Sequence, residues 1–159
     1  MLRLADFIPN PAGFENYVFG DTLAKFNCFV YPMMNDSDKQ YELTLEERTG
    51  YLYARVKADK ISEQLAMAYL DEVVTRCRSL KCTKLLLERD IPDMLPDGAL
   101  FFIAEKFQKM IAGIKVAFVN KFAENDEAFD FAVRVGTNRG ADYGIFDNAT
   151  NAERWLLGV

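Results

Sequence analysis

TKLLLE, residues 83–88, is the stretch that decides the fold of this chain. It is short and continuously apolar at its centre, a pattern typical of a strand buried on both faces of a parallel sheet. IKVAFV, residues 114–119, repeats the pattern. Between the two runs, Asp97 to about Ala112 is expected to form a helix, with Asp97 as its capping residue. A strand, a helix and a second buried strand in this order predict a right-handed crossover between parallel neighbours.

The segments before this unit predict a hairpin and a helix. Apolar and polar residues alternate over residues 41–46 and again over 51–56, on either side of the turn at 48–50. Ser62 is a suitable N-cap for the helix that follows, in which apolar side chains recur every four residues over 65–77. The hairpin therefore supplies an antiparallel edge to a mostly parallel sheet.

Two more helices and a short strand complete the domain. Residues 126–135 predict a helix stopped by Gly136 and the Asn138-Arg139-Gly140 turn, and residues 143–146 predict the last strand. Thr150-Asn151-Ala152-Glu153 has the S/T-x-x-E form of a capping box and should begin the final helix. The predicted order is β-β-α-β-α-β-α-β-α, an α/β domain over residues 41–159.

Composition narrows the functional classes. The 159 residues, half of them apolar, suffice for one domain with a sizeable core. The net charge of −5 argues against a phosphate-binding surface, so we expect no nucleic-acid partner. The chain has no histidine, which excludes Ser-His-Asp and Cys-His catalysis and imidazole metal sites. We therefore expect a protein that is not an enzyme and carries no cofactor.

The cysteines and the hydropathy pattern predict a cytoplasmic protein. Cys28, Cys77 and Cys82 are odd in number and lack C-x-x-C spacing, so neither a disulfide framework nor a zinc site is indicated. Cys77 falls on the apolar stripe of its helix and should be buried. No stretch resembles a signal peptide or a membrane span.

Residues 1–40 differ from the rest of the chain and are interpreted as an aromatic N-terminal arm. They contain three of the five prolines and seven aromatic residues, and they end in a polar connector at 35–40. An exposed arm of this composition would aggregate, so we expect it to pack on its own domain or on a neighbouring subunit. A natural translation start at Met33 or Met34 is the alternative to a start at Met1.

The element order and certain residues resemble the STAS superfamily, the sulphate transporter and anti-sigma-factor antagonist domains. The likeness is closer to the stage II sporulation protein AA-like branch of bacterial proteins. It spans residues 40–158 and is carried by the hairpin around Thr49-Gly50, the strands at 84–88 and 114–119, and the ending Ala152-Glu153-Arg154-Trp155-Leu156. It implies a STAS-like fold and a non-enzymatic regulatory or protein-binding module. In some members a Ser or Thr at the start of the helix after the central strand is phosphorylated.

The chain departs from that family at the phosphorylation switch. Residues 85–114 contain no Ser or Thr, and Asp97-Gly98 stands where a phosphoacceptor would precede glycine. The Asp97 carboxylate would either mimic a permanently phosphorylated state, since negative charge is favoured at a helix N-terminus, or simply cap the helix.

Two phenylalanines mark a predicted partner-binding surface. Phe101 and Phe102 fall outside the apolar stripe of their helix, in the sector of Glu105 and Lys109 that should face water. Solvent-exposed aromatic side chains are typical of a protein-interaction surface. Together with Asp97 and Gly98 they are expected to bind a protein partner or the second subunit of a homodimer, or to lie beneath the arm.

Two other functions stay open. The first is a carrier of a lipid-like ligand, of the Sec14 type. In this interpretation an apolar pocket between arm and sheet is lined by the phenylalanine cluster and by the tyrosines at 17, 31, 51 and 53. The alternative is that these aromatic residues are part of the hydrophobic core. The predicted loop at 88–93, with Asp90 and Asp93, lies at the carboxyl end of a parallel strand. It would hold magnesium in a metal-assisted hydrolase, or be solvated surface.

Overall fold

The computed structural model describes residues 39–122 and 126–159. The elements in chain order are β1 (Glu42–Arg48), β2 (Tyr51–Lys57), α1 (Glu63–Ser79), β3 (Lys84–Asp90), α2 (Asp97–Met110), β4 (Lys115–Asn120), α3 (Asp126–Thr137), β5 (Tyr143–Phe146) and α4 (Ala149–Leu157). The predicted arm, residues 1–40, lies outside the described residues apart from its last two. No helix in these ranges is long and apolar enough to cross a membrane.

The strands form one five-stranded sheet in the order β1-β2-β3-β4-β5. β1 and β2 are antiparallel, with Leu45 opposite Ala54, and the other three pairs are parallel. β3, which contains residues 84–88 of the TKLLLE stretch, is the central strand. The predicted α/β fold, a mostly parallel mixed sheet with an antiparallel hairpin at one edge, is therefore confirmed.

Helices cover both faces of the sheet. Leu85 and Leu87 of β3 lie on what we call the three-helix face, which packs against α1, α2 and α3. Leu86 lies on the opposite face, called here the α4 face, and packs with Ala152 and Leu156 of that helix. Alternate side chains of a strand point to opposite faces, so a strand covered on both sides needs apolar residues at consecutive positions. This accounts for the unbroken apolar run.

Two predicted helix caps are wrong and one is confirmed. The Ser62 side chain accepts a hydrogen bond of 3.1 Å from the Leu65 amide, as expected of an N-cap. Pro96, with extended backbone, is the N-cap of α2 and makes no side-chain cap. Asp97 is already the first helical residue, so it cannot have the extended conformation that a capping side chain requires.

The start of α4 also differs from the prediction. Asn148 is the N-cap, and its side-chain oxygen accepts a hydrogen bond of 2.9 Å from the Asn151 amide. Thr150 lies inside the helix, so the capping box does not form. The Glu153 carboxylate that would have completed it instead accepts a hydrogen bond of 3.0 Å from the Tyr51 hydroxyl.

Gly136 does not stop α3, which continues to Thr137. A Cβ atom at Gly136 would lie 2.4 Å from Cε2 of Tyr143, far inside contact distance. The glycine therefore permits β5 to approach α3, which is a packing requirement and not a helix-ending one.

Candidate functional site

The two sides of α2 have opposite environments. Leu100, Ile103 and Phe107 are buried against the three-helix face, whereas Phe101 and Phe102 are 39% and 44% exposed. The prediction that these two phenylalanines face water is confirmed. A helix that is anchored on one side and presents two adjacent aromatic rings on the other offers a preformed apolar surface.

Cations lie over both exposed rings. Lys106 Nζ is 4.3 Å from the centroid of the Phe102 ring, and Arg139 Cζ is 5.4 Å from that of Phe101. Neither cation forms a salt bridge within the described ranges. We call the surface formed by Phe101, Phe102, Lys106 and Arg139 the α2 patch. It combines two aromatic rings with two cations, although the chain as a whole is acidic.

α2 brings all four predicted partner-binding residues into one strip. Asp97 and Gly98 are exposed in the first turn. They precede Phe101 and Phe102 by four residues each, and residues four apart on a helix are surface neighbours. Space around Gly98 is open, since an added Cβ would meet no atom within 4 Å.

A cavity of about 80 Å³ lies beneath the other side of α2. It is bounded by α1, α2, α3 and the three-helix face of the sheet. Most of its walls are apolar, and they include Leu70, Leu87, Ile103, Phe107, Phe118 and Phe129. An apolar cavity with a few polar groups is the usual form of a small-molecule site.

Tyr51 and Tyr53 do not line this cavity, because they lie on the α4 face. They are buried, and the Tyr53 hydroxyl donates a hydrogen bond of 2.7 Å to Glu88. Burial and the Glu88 carboxylate raise the pKa of Tyr53 to about 12. The tyrosines at 17 and 31, and with them the predicted pocket between arm and sheet, lie outside the described residues.

Arg89 is the one charged residue among those that line the cavity. It lies near the end of β3 and is 5% exposed. Its Nη1 donates a hydrogen bond of 2.6 Å to the Ile91 carbonyl, and its Nη2 donates to the Asp93 carbonyl. Burial lowers the pKa of the Arg89 guanidinium. The alternation Leu85, Leu87, Arg89 in β3 is the sequence signal that places this cation on the three-helix face.

Two phenol groups share the cavity wall with Arg89. The hydroxyl oxygen of Tyr143 is buried and has no hydrogen-bond partner among the described residues. Burial raises the pKa of Tyr143 well above its usual range. Tyr69 is buried as well, and although burial raises the pKa of its hydroxyl, the neighbouring Arg89 guanidinium opposes that rise.

The first half of the predicted carboxylate loop is strand, and residues 91–93 are loop. Glu88 and Asp90 belong to β3, and both pair with cations. The Glu88 carboxylate lies 2.9 Å from Lys121 Nζ, and Asp90 pairs with Arg55 and, at 3.3 Å, with Lys121. Burial acts to raise the pKa of Glu88, but hydrogen bonds from Lys121 and Tyr53 outweigh it, so the pKa is lowered.

Asp93 is separate from this ion-pair network. Its carboxylate accepts hydrogen bonds of 3.1 Å and 3.0 Å from the Ile61 and Met94 amides. Asp90 and Asp93 thus have different partners. Within residues 39–122 and 126–159, no three Asp, Glu or Cys side chains come together in a way that would hold a metal ion.

No family model matches this chain, and neither does any curated protein. The resemblance to the STAS superfamily therefore stays a prediction.

Proposed function

We propose that this chain is a non-enzymatic regulatory module that binds a protein partner through the α2 patch. One observation carries the proposal: Phe101 and Phe102 are adjacent, exposed and held on a helix whose other side is fixed in the core. Exposed aromatic side chains on a rigid support are typical anchors of protein interfaces.

The patch defines the chemistry of its partner. The two phenylalanine rings favour apolar side chains. The cations of Lys106 and Arg139, which form no salt bridge with a described residue, favour Asp or Glu. We therefore expect the partner to present a short segment that combines apolar and acidic residues. In this proposal a second copy of the chain is the competing occupant of the patch.

Two further observations agree with this function. The STAS-like resemblance implies a binding module, and Asp97 carries a fixed negative charge at the exposed start of α2, where related modules are switched. Cys77 is buried, and burial raises its pKa to about 12, so it is an inert core thiol. An unreactive thiol fits our proposal that the module acts in the reducing cytoplasm.

The test is a peptide selection with a matched counter-selection. Phage-displayed peptides are selected on the wild-type chain, and binders to the Phe101→Ser/Phe102→Ser double variant are removed. The proposal predicts enriched peptides with apolar and acidic residues, whose affinity falls at least about tenfold in the double variant. Lys106→Glu should also weaken them, whereas Gln64→Ser, on the exposed side of α1, should not.

Three outcomes would contradict the proposal. Selected peptides could bind the double variant as well as the wild type, or carry no acidic preference. Alternatively, sedimentation could show a wild-type dimer and a monomeric double variant, in which case the patch belongs to a second copy of the chain. Asp97→Asn keeps the side-chain shape and removes its charge, so a change in peptide affinity would show that the partner contacts that charge.

The cavity beneath α2 favours a second candidate function, a carrier of a small apolar ligand. Its volume of about 80 Å³ and its apolar walls are the observation that supports it. The titrations described below test this function directly.

A further inference from the structure

The cavity contains a buried cation that no described carboxylate pairs with directly. Arg89 is 5% exposed, lines an otherwise apolar cavity, and forms no salt bridge with a described residue. Buried charges in proteins are usually paired, because removing an ion from water costs several kcal/mol. A ligand with a negative charge would supply the missing partner.

The hydrogen bonds of Arg89 leave it able to bind such a ligand. A guanidinium has five N–H donors; two of them donate to the carbonyls of Ile91 and Asp93, and the Tyr69 hydroxyl is a third hydrogen-bond partner, which leaves donors for a ligand. These contacts fix the position of the side chain. A fixed, planar guanidinium with free donors matches the geometry of a carboxylate.

The rest of the cavity selects an apolar body with limited polarity. The rings of Phe118 and Phe129 lie 6.4 Å apart between their centroids, and the Arg89 guanidinium carbon lies 5.5 Å from the Phe129 ring. The Tyr143 ring is 5.4 Å from that of Phe118, and its hydroxyl is buried without a described partner. The cavity wall therefore includes the Arg89 cation, the aromatic rings of Phe118 and Phe129, and the Tyr143 hydroxyl without a described partner.

We propose that the cavity binds a small organic carboxylate with an apolar body, with the carboxylate at Arg89 and the body among Phe118, Phe129 and Tyr143. This inference rests on the second candidate function, the carrier, and adds the chemical class of its ligand. It does not depend on the α2 patch.

Arg89 has a purely structural alternative role. Its two carbonyl contacts could serve only to hold residues 91–93 after β3. That role predicts a loss of stability when Arg89 is replaced, but no preference between a charged and a neutral ligand. Ligand selectivity therefore separates the two roles.

The experiment compares hexanoate with 1-hexanol, which have apolar bodies of the same length. Each is titrated into the full chain at pH 7.5 and followed by calorimetry and by amide chemical shifts. Hydrogen bonds to a charged group contribute about 1.5–3 kcal/mol, so hexanoate should bind at least about tenfold more tightly than 1-hexanol.

Variants locate the site. Arg89→Met should abolish the preference for hexanoate and leave 1-hexanol binding, and Arg89→Lys should keep part of the preference because the charge remains. Ala104→Phe fills the cavity without changing Arg89 and should remove binding of both probes. If Arg89→Met does not fold, the Arg89→Lys and Ala104→Phe variants still decide the result.

The outcomes separate this inference from the carrier function. Equal affinity of the two probes for the wild type would overturn the anion inference and leave the carrier standing. A preference for hexanoate that survives in Ala104→Phe would place the binding elsewhere and refute the site. Absence of binding by either probe would overturn both the carrier and the anion inference.

Discussion

Replacing Gly136 by alanine should destabilise the protein, although the same change usually strengthens a helix. Alanine is favoured over glycine by up to about 1 kcal/mol inside a helix. Here the new Cβ would lie 2.4 Å from a ring atom of Tyr143, whereas ordinary contact begins at 3.4 Å, so the ring would have to move by about 1 Å. Phe107 and Phe118 pack against that ring and limit the movement. Overpacking costs about 2 kcal/mol, so we expect a net loss of about 1 kcal/mol.

Urea unfolding followed by far-UV circular dichroism measures this loss. A change of about 1 kcal/mol corresponds to a shift of roughly 2–4 °C in Tm for a chain of this size. Gly98→Ala in α2 is the matched control, since an added Cβ there meets no atom within 4 Å. It should leave stability unchanged or raise it by up to about 1 kcal/mol.

A double-mutant cycle locates the cause. Tyr143→Leu removes the ring that the new methyl group would strike, so Gly136→Ala should cost less in that background than in the wild type. A Gly136→Ala protein as stable as the wild type, or a cycle without coupling, would refute the close approach of β5 to α3.

Three other predictions concern a helix cap, an ion-pair network and a buried thiol. Asn148→Ala should cost about 1 kcal/mol of unfolding free energy because it removes the cap of α4, whereas Thr150→Ala should be nearly neutral; the reverse result in urea unfolding would restore the capping box. Glu88→Gln should be less stable than the wild type at pH 7, because the pKa of Glu88 is lowered from 4.5 in the folded state. That difference is present above pH 4.5 and should shrink as the pH falls through the folded-state pKa; a constant difference down to pH 3 would contradict it. In a Cys28→Ser/Cys82→Ser variant, Cys77 should react with Ellman's reagent at pH 8 only on unfolding, and rapid labelling of the folded protein would show that this thiol is accessible.

The sheet is predictable from the sequence because its signal is local. The strands at 84–90 and 115–120 contain the continuous apolar runs 85–87 and 116–119, and such runs are tolerated where both faces are covered. The hairpin is marked by the alternation of polar and apolar residues in β1 and by Gly50 in the turn, whose φ of 89° favours glycine. The apolar runs and the hairpin turn can therefore be recognised without knowing how the rest of the chain folds.

Helix ends are less predictable because neighbouring residues compete for the same role. Asn148 and Thr150 are both good capping residues, and they are two positions apart. Tertiary contacts decide between them, since Tyr51, about a hundred residues earlier in the chain, binds the Glu153 carboxylate that a capping box needs. Gly136 carries a helix-ending signal in the sequence, but its actual role depends on where the Tyr143 ring lies.

The exposed surface of α2 is predictable from the sequence, whereas the cavity beneath it is not. Exposure of Phe101 and Phe102 follows from helical periodicity alone, and so do their positions beside Asp97 and Gly98. The cavity depends on the space left between three helices and a sheet, which no local pattern encodes. The carboxylates of Glu88 and Asp90 pair with Arg55 of β2 and with Lys121 at the end of β4. Because these cations are distant in the sequence, no local pattern indicates that the two carboxylates are paired.

Chemical-shift mapping of a selected acidic and apolar peptide on the isotopically labelled chain tests the central claim most directly. The account predicts that the largest amide shifts fall on residues 101–106 and Arg139, with little change on the exposed side of α1. It also predicts that Phe101→Ser/Phe102→Ser abolishes these shifts in a protein that remains folded. Shifts that cluster on the α4 face, or that persist in the double variant, would contradict it.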